Sequence, residues 1–284
     1  VAFRGRGKEG LLRQASFQRL RVDKTAAEVD AMPNPVTDEV TITHPERVVF
    51  PARGFTKGDV ADYYRTVAPW LLPELADRPT SLVRCPEGVA GTCFFQKHHS
   101  PSLGANVGSV AIREKDGGHA DYVTIADVDG LLELVQMNVL EFHPWGARNA
   151  DPEHPDRLVF DPEPGPGGTW KEVGGAARGG GGDLVHGGLG SWVRLSGGKG
   201  LHVVVPLVPK AGWDEAKAFC EAVANAMAQQ APQRYVATAS KAKRDHRIFI
   251  DWLRNGRGAT SVTNWSLRAR EGAAAAREEK VARR

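Results

Sequence analysis

The chain has 284 residues, 41% hydrophobic and 25% charged, with a net charge of +3. That balance excludes wholesale disorder and collagen-like repeats. No run of 18 apolar residues occurs, so no membrane-spanning helix is expected.

The length suits one large domain or two small ones. Val1–Arg6 lacks an apolar core and does not read as a secretory signal, and a chain that starts at Val1 reads as a piece of something longer. Three cysteines (Cys85, Cys93, Cys220) are too few for a disulfide framework and form no CxxC pair. A reducing cytoplasm is therefore the expected location. Charge is unevenly spread. Residues 121–163 carry 10 acids and 2 bases, whereas residues 234–284 carry 13 bases and 5 acids. An acidic centre beside a basic stretch suits either a polyanion binder with a metal-binding carboxylate group or two solvated faces of opposite sign.

In chain order, residues 1–30 are basic and without clear periodicity, and residues 31–39 read as a linker because two prolines and turn formers break any element. Residues 40–43 and 47–50 are short β-like runs. A helix opens at Thr56, which caps it with Asp59 in the first turn. Val60, Tyr63, Tyr64, Val67 and Leu71 follow at helical spacing. Strands are predicted at 80–85, 92–97 and 122–125. A helix from Asp127 is expected to put Leu131, Leu134, Val135 and Val139 on one face. Leu158–Phe160 reads as a buried strand, with further strands at 192–195, 201–207 and 248–250. Residues 213–230 form a helix with Ala216, Phe219, Cys220, Val223 and Met227 periodic. Residues 174–190 hold nine glycines, where each Gly costs a helix about 1 kcal/mol relative to Ala. The elements follow no regular βα repeat, so the fold class is α+β.

Five constellations carry chemistry. Asp161 and Glu163 stand at i and i+2 on a strand end and so share a face, and Asp251 ends a second strand. Clustered carboxylates repel unless a cation sits between them, and hard divalent ions prefer such ligands. Ser196-Gly197-Gly198-Lys199-Gly200-Leu201-His202 joins two strands with a flexible backbone, a hydroxyl and a cation, which suits a phosphate, or else is an ordinary hairpin turn. Lys241–Arg247, Arg254–Arg257 and Arg268–Arg270 suit phosphate contacts or a solvated surface. Phe94 and Phe95 point to opposite faces of a strand, so one is available to stack on a base, unless both are packed inside. His143, beside aromatics, reads first as a satisfied core residue.

The strings HPERVVFP, TKGDVADYY, FFQKH, LEFHPWG, HPDRLVFD, SGGKGLHVVVPL, IFIDWLRNGRGAT and SLRAR occur in that order. Together they resemble the polymerase domain of bacterial DNA ligase D, in the archaeo-eukaryotic primase superfamily, from about residue 40 to residue 270. Residues 9–29 are similar to the end of the ATP-dependent ligase module of the same protein. The resemblance implies a division into a ligase tail (1–30), a linker (31–39) and a polymerase domain (40–284). The implied fold is a primase-type core of two β-sheets around a catalytic cleft with flanking helices.

The implied function is template-directed nucleotidyl transfer, filling gaps and ends during double-strand break repair by non-homologous end joining. Mn2+ (or Mg2+) is the implied cofactor and NTP or dNTP the substrate. The implied partners are DNA ends and gaps with a 5′-phosphate, Ku, and the ligase domain of the same chain, in the bacterial nucleoid and away from membranes. Residue by residue, Asp161, Glu163 and Asp251 match metal-binding carboxylates. Ser196, Gly198, Lys199 and His143 match triphosphate-binding positions, with His202 and Arg268 in the same pocket. Phe94 and Phe95 match aromatics that stack on the incoming base and template. Lys57 matches a lysine that grips the 5′-phosphate, Arg47 aligns with a second basic residue there, and His44 stands where Asn is common.

Departures from the family pattern are also visible. The usual D-x-D is Asp161-Pro162-Glu163 here, and Glu reaches farther by about 1.5 Å, one C–C bond. Asn264-Trp265 replaces Pro-Tyr, and the glycine run replaces a charged helix. The alternative these departures imply is a DNA-end or nucleotide-binding module with weak or lost catalysis.

Overall fold

The computed structural model describes residues 40–177, 189–198 and 200–279. The expected tail 1–30, the linker 31–39, most of the glycine-rich stretch and Lys199 lie outside the described residues.

Two sheets organise the molecule. The smaller is antiparallel and has three strands, β1 (Thr80–Arg84), β2 (Phe94–Gln96) and β3 (Val139–Pro144), in the order β2-β1-β3. The larger has six, β4 (Arg157–Pro164), β5 (Trp192–Leu195), β6 (Leu201–Pro206), β7 (Tyr235–Val236), β8 (Ile248–Asp251) and β9 (Arg277–Glu279), in the order β7-β8-β4-β6-β5-β9. Among the described residues only the β7–β8 pair is parallel. Three hairpins among the described residues lie outside them, pairing Val48–Phe50 with Phe55–Thr56, Gly108–Arg113 with His119–Thr124 and Ala147–Arg148 with Asp151–Pro155. Flanking helices complete the expected α+β architecture.

Each sheet has its own core. Helix α1 (Lys57–Leu75) begins with a reciprocal cap, in which the Thr56 hydroxyl accepts from Asp59 N–H and the Asp59 carboxylate accepts from Thr56 N–H. Its buried face of Val60, Tyr64, Val67, Leu71 and Leu75 packs with α2 (Val128–Gln136) and with Leu82 and Phe142 of the small sheet. Each fully buried side chain of this kind contributes about 1.5–3 kcal/mol. Helix α3 (Trp213–Gln230) covers the large sheet through Ala216, Cys220, Ala224 and Met227 against Leu158, Phe160 and Val203. A buried ion pair ties the two halves. Arg78, just before β1, donates from both terminal nitrogens to Asp156, just before β4, at 2.6 Å each.

Several expectations are corrected. Residues 40–43 form no strand. Val139 starts β3 and does not continue α2, because the chain turns at Asn138, which takes a positive φ of 59°. Phe219 is 42% exposed and Cys220, Ala216 and Met227 carry the buried face of α3. Cys85 and Cys93 are paired as a disulfide that staples the end of β1 to the start of β2, a pairing that a cysteine count cannot reveal. In the glycine-rich region, residues 170–177 are helical and capped by Thr169, whose hydroxyl accepts from Glu172 N–H. No helix among the described residues is long and apolar enough to cross a membrane.

Candidate active site

The site lies where strand β4 changes partner. Residues 157–160 pair with β6, ending at Phe160↔Val203, and residues 161–164 pair with β8, beginning at Asp161↔Asp251. The two paired halves part at Asp161. Pro162 is tolerated here because β4 has lost its β6 neighbour by that point, so a missing N–H leaves no ladder gap on that side. The direct Asp161↔Asp251 register puts two carboxylates side by side, and Glu163 lies two residues on along β4. One oxygen from each of the three lies within 4.8 Å of the others.

This cluster is short of positive charge. Burial pushes the Asp251 carboxyl above its usual range, and the neighbouring Asp161 and Glu163 charges add to this. Burial acts on Asp161 in the same sense, but His202 and Arg254 outweigh it and hold it low. The Arg254 guanidinium reaches in to 3.3 Å from Asp251, 3.5 Å from Asp161 and 4.0 Å from Glu163. A half-exposed arginine thus stands in for a cation. Three convergent carboxylates with this counter-charge are the donor chemistry of a hard divalent ion, so the residues present fit such an ion. Glu163 is also held from outside, since Arg244 donates to its Oε2 at 2.9 Å while stacking over Phe249.

Asp161 and Glu163 face a cavity of about 620 Å3 between the two sheets, with Asp251 behind its lining. The opposite wall comes from the small sheet. Phe94 and Phe95 are both exposed, at 44% and 63%, and both line the cavity, so neither is the core residue that strand alternation implied. Arg84 lies over the Phe94 ring, and Phe95 meets His143 edge to face with centroids 5.1 Å apart. His143 is buried and satisfied by Glu141, 2.8 Å from its Nε2, yet it also lines the cavity. Burial lowers its pKa against the pull of Glu141. Arg268 completes this group, its Nε 3.1 Å from Glu141 and its Nη1 donating to Ser196 O.

The Ser196–Leu201 turn forms the floor. Ser196 Oγ donates to Gly200 O and closes its own loop. Gly197 takes a φ of 66°, and a Cβ on Gly200 would stand 3.1 Å from Asp161 Oδ1. The turn's glycines thus permit close approach to the acids. Ser196, Gly198 and His202 line the cavity.

The other three residues form a separate group that does not line this cavity. Lys57 opens α1 and is 5% exposed, its Nζ donating to Thr43 O. Burial and then the Arg47 charge lower its pKa. Arg47 O accepts from Lys57 N–H, and Arg47 N–H donates to His44 O. His44 pairs at 3.6 Å with Glu46.

Glu141 is a site residue that the sequence reading did not single out, and Arg244, Arg254 and Gly200 appear there only within basic or glycine-rich runs, not as neighbours of the acids. For Glu141 the signal was present, because Glu141 and His143 alternate on one strand face as Asp161 and Glu163 do. No local signal separates Arg254, on the acids, from Arg257, which pairs with Glu153 away from them.

A family model described as LigD, primase-polymerase domain, matches residues 56–277. The chain belongs to the LigD primase-polymerase domain family. It is 37% identical over 292 residues to the multifunctional non-homologous end joining protein LigD of Pseudomonas aeruginosa, covering 96% of this chain and 34% of that protein. It is 33% identical over 236 residues to the Mycolicibacterium smegmatis protein of the same name, covering 82% and 31%. The chain therefore spans about a third of the length of these relatives. Among solved structures it is similar to the polymerase domain from Mycobacterium tuberculosis ligase D in complex with DNA, with a TM-score of 0.80, 30% identity, and coverage of 86% of this chain and 87% of that one. The carboxylates and the cavity of this LigD polymerase-domain chain lie within the family match.

Proposed function

We propose that this chain is a metal-dependent, template-directed nucleotidyltransferase that fills gaps and ends during non-homologous end joining. The observation that carries this reading is the convergence of Asp161, Glu163 and Asp251 beside a cavity that the first two line and whose far wall presents two exposed aromatic rings. Asp161, Glu163 and Asp251 would hold divalent ions, with Mn2+ preferred to Mg2+. Such ions supply charge neutralisation of the triphosphate and activation of the primer 3′-hydroxyl.

The chain's own residues do the rest. Phe94 and Phe95 stack on the incoming and template bases. Ser196, Gly198, Lys199, His143 and Arg268 hold the triphosphate of an NTP or dNTP, with His202 behind them in the same pocket. Lys57, Arg47 and His44 grip a 5′-phosphate at a gap or break. The likeness to a DNA-bound polymerase domain supports DNA as partner, and the relatives' names support end joining. Ku and a ligase domain joined through residues 1–39 belong to the same proposal, as does a place in the bacterial nucleoid.

The test is extension of a labelled primer on a 5′-phosphorylated gapped duplex with Mn2+ and either ribo- or deoxyribonucleotides. Template-dependent addition is expected. Removing the 5′-phosphate, or Lys57→Ala, should weaken gap binding about tenfold or more, the worth of a charge-assisted contact. Binding to the gap without any addition would favour the end-binding module over the polymerase.

A further inference from the structure

Arg194 is a fully charged side chain that is 1% exposed on strand β5, and no step above uses it. Burying a guanidinium is costly unless its donors are used. Arg194 uses two of them on side chains that face the site. Its Nε donates to His202 Nδ1 at 3.0 Å and its Nη2 donates to Ser261 Oγ at 2.6 Å. Both His202 and Ser261 line the cavity.

The register explains the meeting. Arg194 stands directly opposite His202 across β5 and β6. The β4–β6 ladder ends at Phe160↔Val203, which places Asp161 one rung on, beside His202. Asp161 in turn stands opposite Asp251. Arginine, histidine and two aspartates therefore form one row across four neighbouring strands. At the far side of the imidazole, His202 Nε2 lies 3.5 Å from Asp161 Oδ2.

An arginine N–H aimed at Nδ1 requires a lone pair there, because guanidinium has donors and no acceptor. A neutral imidazole with a lone pair on Nδ1 carries its proton on Nε2. We infer that Arg194 is a positioning residue that fixes His202 as the Nε2–H tautomer, so that Asp161 receives an oriented neutral donor and keeps its negative charge for a metal ion. Ser261 holds the guanidinium in place from its other end. This is the arrangement in which an outer partner sets the orientation and basicity of a ligand through a bridging group.

The inference deepens the proposed metal site, but its first test does not depend on that site. The protein is labelled with 15N-histidine, and long-range proton–nitrogen spectra are recorded without metal, with His202→Gln identifying the signal. A protonated Nε2 and an unprotonated Nδ1 are expected. A proton on Nδ1, or on both nitrogens, would overturn the inference. Arg194→Met should convert the single tautomer into a mixture and weaken Mn2+ binding, read from the free-ion signal in electron paramagnetic resonance, about 10- to 100-fold. Arg194→Lys, which keeps a donor, should restore most of it. A folded Arg194→Met protein with unchanged tautomer and unchanged Mn2+ affinity would also sink the idea. If that variant does not fold, the wild-type spectrum and Ser261→Ala, which loosens the same guanidinium, decide. Wild-type protein that shows the expected tautomer and binds no Mn2+ would count against the metal site and not against the role of Arg194.

Discussion

The two walls of the cavity are built on opposite principles. The large-sheet wall buries its charges and locks them together. Asp161, Asp251, His202 and Arg194 are each less than a tenth exposed, and each touches another charged or polar group. The small-sheet wall leaves its two phenylalanines in solvent and keeps its ionic group, Glu141 with His143 and Arg268, underneath them. Buried charge in a fixed geometry is suited to stabilising charge that develops in a reaction. Exposed rings accept any base, because every base has a π-face. One wall is therefore made for chemistry and the other for an adaptable grip.

If that division holds, substitutions on the two walls should fail differently. Asp251→Ala removes one acid from the large-sheet centre and leaves the other two facing Arg254. We expect primer extension to fall on the order of a thousandfold, since a metal clamp is worth several kcal/mol, while binding to gapped duplex stays within a few-fold. Equal losses of binding and extension would break the comparison.

Glu141 tests the buried layer beneath the rings. It takes contacts from His143, Arg268 and Ala269 N–H, so Glu141→Gln should cost about 3 kcal/mol of stability by leaving the part-buried Arg268 guanidinium without its anion and weakening the His143 contact. Burial alone would raise the pKa of Glu141, but His143 and then Arg268 outweigh it and lower it. A carboxyl lowered on folding stabilises fully above its unfolded value, about 4.3, and the effect fades as pH falls through the lower folded value. Denaturant melts of the wild type should therefore lose stability in that acid window, and the Glu141→Gln protein should lose less. Parallel pH curves would show that Glu141 is not the group responsible.

Phe95→Ala is expected to leave stability nearly unchanged, because the ring is mostly exposed. Its effect should fall on nucleotide KM, roughly 5- to 150-fold for one lost stacking contact of about 1–3 kcal/mol. A large drop in melting temperature with unchanged KM would mean that the ring is structural, and the contrast between the walls would be lost.

The sequence made the centre of the large sheet legible. Three features were visible in it: the run Leu158–Phe160, the acids that follow it, and the Ile248–Asp251 strand. Within each run the residues are adjacent along the chain, and period-two placement fixes a common face for Asp161 and Glu163. Strand β3 was hidden because Val139 extends the helical pattern of Leu131, Leu134 and Val135. The exposure of both phenylalanines was hidden for another reason. Alternation states which face a ring takes, but not whether that face is covered, and β2 is an edge strand with only β1 beside it. Arg194 was invisible because its partners lie 8 and 67 positions away. Its value comes from a cross-strand register that no local pattern encodes.

Glu163 sits at the border between the locked wall and the open cavity, and it should give the smallest effect. Its extra methylene lets Oε2 take the Arg244 hydrogen bond at 2.9 Å while Oε1 faces inward, 4.0 Å from Arg254. An aspartate at this position is shorter by about 1.5 Å and cannot reach both. Glu163→Asp restores the D-x-D spacing but gives up the bond to Arg244. These two changes oppose each other, so extension with Mn2+ should move by less than about tenfold, the equivalent of 1.4 kcal/mol. Arg244→Ala should act in the same range and add little on top of Glu163→Asp, because both remove one contact. A double-mutant cycle on extension rate reads this directly. Additive losses would mean that Arg244 serves the reaction through something other than Glu163, and a thousandfold gain in Glu163→Asp would mean that the longer side chain had been holding the centre shut.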